Sequence, residues 1–202
     1  MRTRKINSGF SLIELTMAIA VMTIAGVAVV LFVLNVNQSW ETIFDDSEMM
    51  NRLRRAEQDV QRYLIQCNAV QVTITNGADW DSIDFQIPVG VTTGTVAWGA
   101  DNNAGWNYRY IVENVDGSDN LYRIAYNAGT EQSRTEILHG ISGTYNGRKG
   151  LEFVPADPND LDPGDPVPKG EILIVRMRIK RQVGSQSGYL ERELEIRIRM
   201  RN

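Results

Sequence analysis

Residues 1–9, MRTRKINSG, lead directly into residues 10–34, FSLIELTMAIAVMTIAGVAVVLFVL. Within the second stretch, Leu15–Leu34 is a run of twenty residues without a charge. As an α-helix this run is about 30 Å long, which matches the hydrocarbon core of a bilayer. The sequence therefore predicts a membrane-spanning helix over residues 10–34.

The residues before the apolar run predict its orientation and its processing. Arg2, Arg4 and Lys5 precede it, so the positive-inside rule places the N-terminus in the cytoplasm and the rest of the chain outside. A secretory signal has its small-residue cleavage site after the apolar region. Here the small residues Ser8 and Gly9 stand before it, so a cut after Gly9 would keep the anchor.

A single acid, Glu14, lies near the N-terminal end of this helix. A carboxylate costs about 2.5–3.5 kcal/mol at the centre of a spanning helix, so it needs a partner. A cut after Gly9 would create an amine on Phe10, and the amine of a neighbouring subunit would pair with Glu14 at low dielectric. The alternative is an uncleaved signal anchor whose Glu14 lies at the lipid headgroups.

This segment resembles the leader of type IV prepilins, the precursors of pilins and pseudopilins, at Lys5, Gly9, Phe10, Ser11, Leu12, Ile13, Glu14 and Leu15. The resemblance implies that residues 1–9 are a leader removed by prepilin peptidase. It also implies that Phe10 is the new, N-methylated terminus and that Glu14 aligns each subunit with its neighbour. The implied partners are the peptidase, other major and minor subunits, and the assembly platform of the inner membrane.

The sequence after the anchor predicts that the helix continues over residues 35–66, without a glycine or proline. Apolar residues recur at three- and four-residue spacing, at Leu53, Ala56, Val60 and Tyr63/Leu64. This stripe predicts a face that packs on a sheet. Glu48 and Arg52 are placed as a favourable i,i+4 pair, although we prefer to interpret them as part of an ordinary solvated face. Because the apolar run has no proline, any kink must lie at Gly26.

Residues 67–202 predict a β-rich head outside the membrane, in the periplasm. Their periodicity changes to two, and the strand candidates are Val70–Thr75, Ile83–Val89, Tyr108–Asn114, Leu121–Asn127 and Thr135–Leu138. The predicted class is therefore α+β, with a long N-terminal helix packed on an antiparallel sheet, as in type IV pilins. Cys67 is the sole cysteine, so it forms no intrachain disulfide and is predicted to be a buried thiol.

The last two strand candidates, Glu171–Arg181 and Tyr189–Met200, allow a register prediction. If the two strands pair so that the numbers of opposing residues add up to 371, opposite charges meet on one face of the hairpin and apolar residues meet on the other. The predicted pairs are Arg176 with Glu195, Arg178 with Glu193, Lys180 with Glu191, Val175 with Ile196, and Met177 with Leu194. This register leaves Arg197, Arg199 and Arg201 free for a nucleic acid or an acidic partner, or simply as a solvated face.

The rest of the head offers little that predicts catalysis. The segment Asp157–Asp165 holds four aspartates among prolines, which we interpret as a structural loop, with a calcium site as the weaker alternative. His139 is the only histidine and is interpreted as structural. We therefore expect no enzyme activity, no cofactor and no metal. Removal of residues 1–9 leaves 18 bases against 25 acids, so we expect no general affinity for nucleic acid.

The predicted function is that of a minor pilin or pseudopilin in a tip complex that primes filament assembly. A Leu-Glu-Phe-Val-Pro loop at residues 151–155 and a long terminal hairpin are similar to minor pseudopilin J of type II secretion and to the W-type minor pilin. The first resemblance implies a part in protein export. The second implies a type IV pilus that serves adhesion or DNA uptake.

Overall fold

A computed structural model describes residues 11–67, 72–92, 95–98, 106–144, 146–155, 172–182 and 189–200. The chain divides into two compact units, Met1–Phe44 and Asp45–Asn202. One helix, α1, spans Leu12–Leu64, and ten strands follow it in the described part of the chain. The architecture is the predicted α+β class, a long N-terminal helix packed against antiparallel sheets.

Helix α1 is continuous through Gly26 and beyond residue 35, which confirms the predicted continuation. The helix ends at Leu64, two residues before the predicted end. The amides of Gln66 and Cys67 donate to the carbonyls of Tyr63 and Leu64, each at 3.1 Å, so the last turn closes with three-residue spacing.

One stripe of α1 is buried within the unit Asp45–Asn202, at Met49, Leu53, Ala56, Val60 and Leu64. Four of these side chains are fully inaccessible, and Met49 is 2% exposed. The spacing of three and four residues puts them on one face of the helix, and this confirms the predicted packing stripe.

The strands are β1 Val72–Thr75, β2 Ser82–Phe85, β3 Pro88–Thr92, β4 Thr95–Trp98, β5 Trp106–Val115, β6 Ser118–Asn127, β7 Thr130–Leu138, β8 Leu151–Pro155, β9 Ile172–Gln182 and β10 Tyr189–Arg199. They form a five-stranded sheet in the order β1-β2-β5-β6-β7, a three-stranded sheet in the order β10-β9-β8, and the pair β3-β4. Every strand pair within these sheets is antiparallel.

Two strand predictions are wrong in detail. The predicted strand Ile83–Val89 is two strands, because β2 ends at Phe85 and β3 begins at Pro88, whose missing N–H prevents it from continuing a ladder. The loop predicted at residues 151–155 is strand β8. Its residues Leu151, Phe153 and Pro155 alternate into the core, and this period of two is what a half-buried strand requires.

The β5-β6 connection is a two-residue turn at Asp116 and Gly117, with φ of 53° and 80°. Positive φ at both central positions matches the right-handed twist of the flanking strands, and glycine adopts it without steric cost. The pairing continues without a shift from Val115 and Ser118 back to Trp106 and Asn127. This tight turn explains why β5 and β6 are each ten residues long.

The terminal hairpin has the predicted register. Strand β9 pairs with β10 so that Arg176 lies opposite Glu195, Arg178 opposite Glu193, and Val175 opposite Ile196. Val175 is fully buried and Ile196 is 2% exposed, so the apolar face is turned to the core as expected. Burial of one face fixes the register, because a slip of one residue would turn the charged set inward.

The core of the unit Asp45–Asn202 joins the buried stripe of α1 to residues of both larger sheets. Phe85 and Tyr110 stack with their ring centroids 5.3 Å apart. Trp80 packs on the edge of this core, and its indole N–H donates to the Ser142 carbonyl at 2.8 Å. Trp80 is therefore a packing residue, and the polar atom of its indole is satisfied.

Candidate functional site

The first turn of α1 holds the predicted assembly residue, Glu14. The Ser11 amide donates to the Glu14 carboxylate at 3.0 Å, and the Glu14 amide donates to the Ser11 hydroxyl at 3.3 Å. This reciprocal arrangement is a capping box, in which a serine and a glutamate three residues later satisfy two free amides of a helix start. The carboxylate also lies at the positive end of the helix dipole. Sequence reasoning placed Glu14 in this turn but missed its bond to Ser11.

The predicted processing residues, Gly9 and Phe10, lie outside the described residues. Cleavage after Gly9 and methylation of Phe10 therefore stay predictions. Ser11 is the first described residue, and it acts as the N-cap that precedes Leu12. The start of α1 thus coincides with the predicted new terminus to within two residues.

The segment of α1 from Leu12 to Leu34 exposes its apolar side chains on every side. Leu12 is 81% exposed, Met22 76% and Phe32 69%. Such a surface is unfavourable in water, since each large side chain loses about 1.5–3 kcal/mol by remaining exposed. The helix is long and apolar enough to cross a membrane and lies near the N-terminus, so it could serve as a membrane anchor.

Two hydroxyls within this apolar segment are satisfied by the helix itself. Thr16 donates to the carbonyl of Ile13 at 2.9 Å, and Thr23 donates to the carbonyl of Ile19 at 2.8 Å. Both hydroxyls can therefore lie in apolar surroundings without a further hydrogen-bond partner. Glu14 is the only ionisable group between Leu12 and Leu34, and its carboxylate retains acceptor capacity beyond the Ser11 amide.

The sequence left Arg197, Arg199 and Arg201 as candidate ligand-binding residues of the head, and one of them is taken up by an ion pair. Arg197 forms an ion pair with Glu195 at 3.1 Å, so the prediction of a free guanidinium at this position is wrong. The reason is that residues two apart in a strand share a face. Arg199 is exposed and has no ion pair with another described residue, whereas Arg201 lies outside the described residues.

The other candidate groups in the head do not converge. The segment Asp157–Asp165 lies outside the described residues, so its calcium alternative stays untested. Elsewhere in the described chain, no group of three or more His, Cys, Asp or Glu side chains is arranged to hold a metal ion. His139 follows β7, where it is half exposed and lies 3.5 Å from Glu136.

A polar cluster that sequence reasoning missed ties α1 to the sheet. The Tyr110 hydroxyl donates to the Asp59 carboxylate at 2.7 Å, and the same carboxylate receives the Arg123 guanidinium. Burial, together with the Asp59 charge, raises the pKa of Tyr110 well above its usual range. Burial is the largest single effect on Arg123 and lowers its pKa, but the hydrogen bond to Asp59, together with the electrostatic attraction of Asp59 and the neighbouring tyrosines, raises the pKa overall. Both groups thus hold their protons, and the cluster is structural.

Cys67 is fully buried just after α1, as predicted. Its thiol lies 3.3 Å from the Tyr63 carbonyl, and burial raises the pKa of the thiol far above its usual range. A thiol that stays protonated is a poor nucleophile and a poor metal ligand.

Comparisons of the chain with protein-family models, with curated proteins and with solved structures found no match.

Proposed function

We propose that this chain is a minor pilin or pseudopilin that is cleaved after Gly9 by prepilin peptidase. In this proposal, residues 10–34 anchor it in the inner membrane, with the N-terminus in the cytoplasm and the head in the periplasm. With other minor subunits it forms the tip complex that primes a type II secretion pseudopilus for protein export. No catalytic step, cofactor or metal is assigned to it.

The observation that carries the proposal is an exposed apolar helix whose first turn holds a single carboxylate. Hydrocarbon would satisfy the apolar surface but not the charge of Glu14. A neighbouring subunit would satisfy both, because its apolar helix covers the surface and its amine on Phe10 pairs with the carboxylate. Packing would then supply the strength of the filament, and the ion pair would set the axial position of each subunit.

The alternative is a type IV pilus subunit for adhesion or DNA uptake, which the resemblance to the W-type minor pilin implies. Its candidate ligand-binding residues were Arg197, Arg199 and Arg201. Arg197 is bound to Glu195, so no specific observation favours this alternative. We therefore keep the export function as the single proposal.

The first test is the N-terminal mass of the protein from membranes of cells with and without prepilin peptidase. We expect a chain that begins at Phe10 and carries one methyl group only when the peptidase is present. A chain that begins at Met1 in both membranes would overturn the proposal and leave a signal-anchored head.

A second test separates the two uses of Glu14. Glu14→Gln retains an acceptor for the Ser11 amide but removes the charge, whereas Ser11→Ala removes the cap and keeps the charge. We expect Glu14→Gln to insert in the membrane normally and to lose at least about tenfold in filament incorporation, since a charged hydrogen bond is worth about 1.5–3 kcal/mol. Ser11→Ala should be incorporated nearly normally. The opposite ranking would show that Glu14 only caps its helix.

A further inference from the structure

One exposed face of α1 within the unit Asp45–Asn202 carries three arginines, Arg54, Arg55 and Arg62, which we call the basic face. All three are exposed. At about 100° per residue they span an arc of about 100°, centred about 180° from the buried stripe of the same helix. Arg54 and Arg62 are therefore turned away from the sheets, whereas Arg55 lies at the border, where it lines an open concave surface with Asp59 and residues of β7. All three remain exposed and available to a partner.

The basic face is unusual because its charges are unmatched. None of its arginines forms an ion pair with another described residue, whereas eleven other lysines and arginines of this unit are paired with carboxylates. Asn51 and Gln58 lie within this arc and Gln61 lies at its border, and none of them carries a charge. Glu57 and Asp59 flank the arc, but neither forms an ion pair with these arginines. Three like charges within about 12 Å of helix repel one another.

We infer that the basic face docks against an acidic surface of a neighbouring filament subunit that is a different protein from this chain. This inference rests on the proposed function, which supplies neighbouring subunits. Arginine suits the contact because its planar fork binds carboxylates through two parallel hydrogen bonds. A negative surface would remove the repulsion within the basic face and steer the approach of the partner.

The charge of the chain argues against two other occupants. After removal of residues 1–9 the chain has an excess of seven acids, so an extended polyanion such as nucleic acid would also meet the acidic surface of the rest of the chain, whereas a local acidic surface on a protein would meet only the basic face. A second copy of the chain is a poor partner, because most of its described carboxylates are already bound to bases. Those without an ion pair are scattered along the described sequence, and the two that are nearest in sequence are Asp116, in the β5-β6 turn, and Asp119, in β6.

The test uses the full-length chain in its native membrane, with a photo-crosslinking amino acid in place of Gln58 on the basic face. The variants are Arg55→Glu and the triple change Arg54→Glu, Arg55→Glu and Arg62→Glu. The matched control is Arg199→Glu, which reverses an exposed arginine on β10 that also lacks an ion pair with a described residue. Mass spectrometry identifies the crosslinked peptide, and thermal melting checks that each variant is folded.

We expect adducts to an acidic segment of another membrane-anchored subunit. Their yield should fall several-fold in Arg55→Glu and about tenfold or more in the triple variant, remain unchanged in Arg199→Glu, and recover when the contacted acids are replaced by lysine. Adducts to a second copy, to nucleic acid or to lipid would overturn the inference, as would no adduct or an unchanged yield in the triple variant. The N-terminus is read from the same samples. A Phe10 start with a failed crosslink rejects this inference alone, whereas a Met1 start rejects the proposed function.

Discussion

Gly150 lies where two backbone segments of the head almost touch. Its amide donates to the Asp79 carbonyl at 3.0 Å, and its carbonyl accepts from the Arg178 amide at 2.8 Å. A Cβ atom at this position would lie 1.5 Å from the Ser142 carbonyl oxygen. Because all of these contacts are made by backbone, no side-chain rotation relieves the overlap.

We therefore expect Gly150→Ala to destabilise the head by about 3 kcal/mol or more, since the backbone itself must move. The matched control is Gly143→Ala, where the nearest atom to a Cβ is the Asp79 carboxylate at 3.6 Å, an ordinary contact. Gly143→Ala should stay within about 1 kcal/mol of the parent chain. The measurement is urea unfolding of the full chain in detergent micelles, followed by tryptophan fluorescence. Equal stabilities for the two variants would contradict the close approach at Gly150.

At the scale of elements, the β9-β10 hairpin is held by one buried guanidinium. Arg178 is 5% exposed and donates to Glu193 at 3.1 Å and to the Arg148 carbonyl at 3.2 Å. It also forms an ion pair with Glu191, at 3.1 Å. Lys180 lies opposite Glu191, as predicted, and its amine also lies over the Tyr189 ring, 4.1 Å from the ring centroid. The register is therefore as predicted, and Arg178 adds an ion pair to Glu191 that was not predicted.

Arg178→Ala should lower the free energy of unfolding by about 1–3 kcal/mol, because two carboxylates lose a charged donor at a site with little water. Arg197→Ala removes an exposed pair of the same hairpin and should change it by less than about 0.5 kcal/mol. The same urea experiment measures both. A smaller effect for Arg178 than for Arg197 would contradict the central role of Arg178.

The two parts of helix α1 contribute differently to the stability of the head. Leu53 is fully buried, whereas Leu31 is 61% exposed, although both are leucines of one helix. Leu53→Ala should destabilise the head by about 2–5 kcal/mol through the lost burial and the cavity left behind. Leu31→Ala should leave the stability of the head unchanged, since the Leu31 side chain is exposed and belongs to the other compact unit. Near-ultraviolet circular dichroism during heating would report both, and a loss of head stability in Leu31→Ala would contradict this division.

At the scale of the whole molecule, charge pairing makes the stability of the unit Asp45–Asn202 depend on pH. Asp46 accepts from Arg192 at 2.5 Å, and this hydrogen bond lowers the pKa of Asp46. Hydrogen bonds from Arg181 and then Arg52 lower the pKa of Glu48. A carboxyl whose pKa is lower in the folded state stabilises the fold above its unfolded pKa, about 4, and loses this contribution as pH falls through the folded pKa.

We therefore expect the melting temperature of the full chain to be nearly constant from pH 7 to pH 5 and to fall below about pH 4. The double change Arg181→Gln and Arg192→Gln removes the cause of both lowered pKa values, so its decline below pH 4 should be shallower than that of the parent chain. High salt should reduce the difference, because these groups are at the surface. Parallel declines in the two proteins would show that other carboxyls control the acid sensitivity.

The local patterns of the sequence were enough to predict those elements that are marked by a regular distribution of apolar residues. The uncharged run Leu15–Leu34 predicted a spanning helix, the spacing of Leu53, Ala56 and Val60 predicted the buried stripe, and alternation in residues 171–200 predicted the register of β9 and β10. The first of these predictions depends on an uninterrupted apolar run, and the other two depend on a single period that marks one apolar face. A sequence displays both features directly. The leader motif predicted Gly9, Phe10 and Glu14 as sites, and these functional roles remain predictions.

Only the tertiary structure decided which distant groups meet. Asp59 of the helix accepts from Tyr110 on β5 and Arg123 on β6, residues 51 and 64 positions away, and no periodicity encodes such a meeting. The unmatched arginines at positions 54, 55 and 62 likewise became evident only once the partners of the other bases were known. The physical reason is that periodicity reports which face of an element is apolar, whereas hydrogen bonds and ion pairs depend on how separate elements are docked.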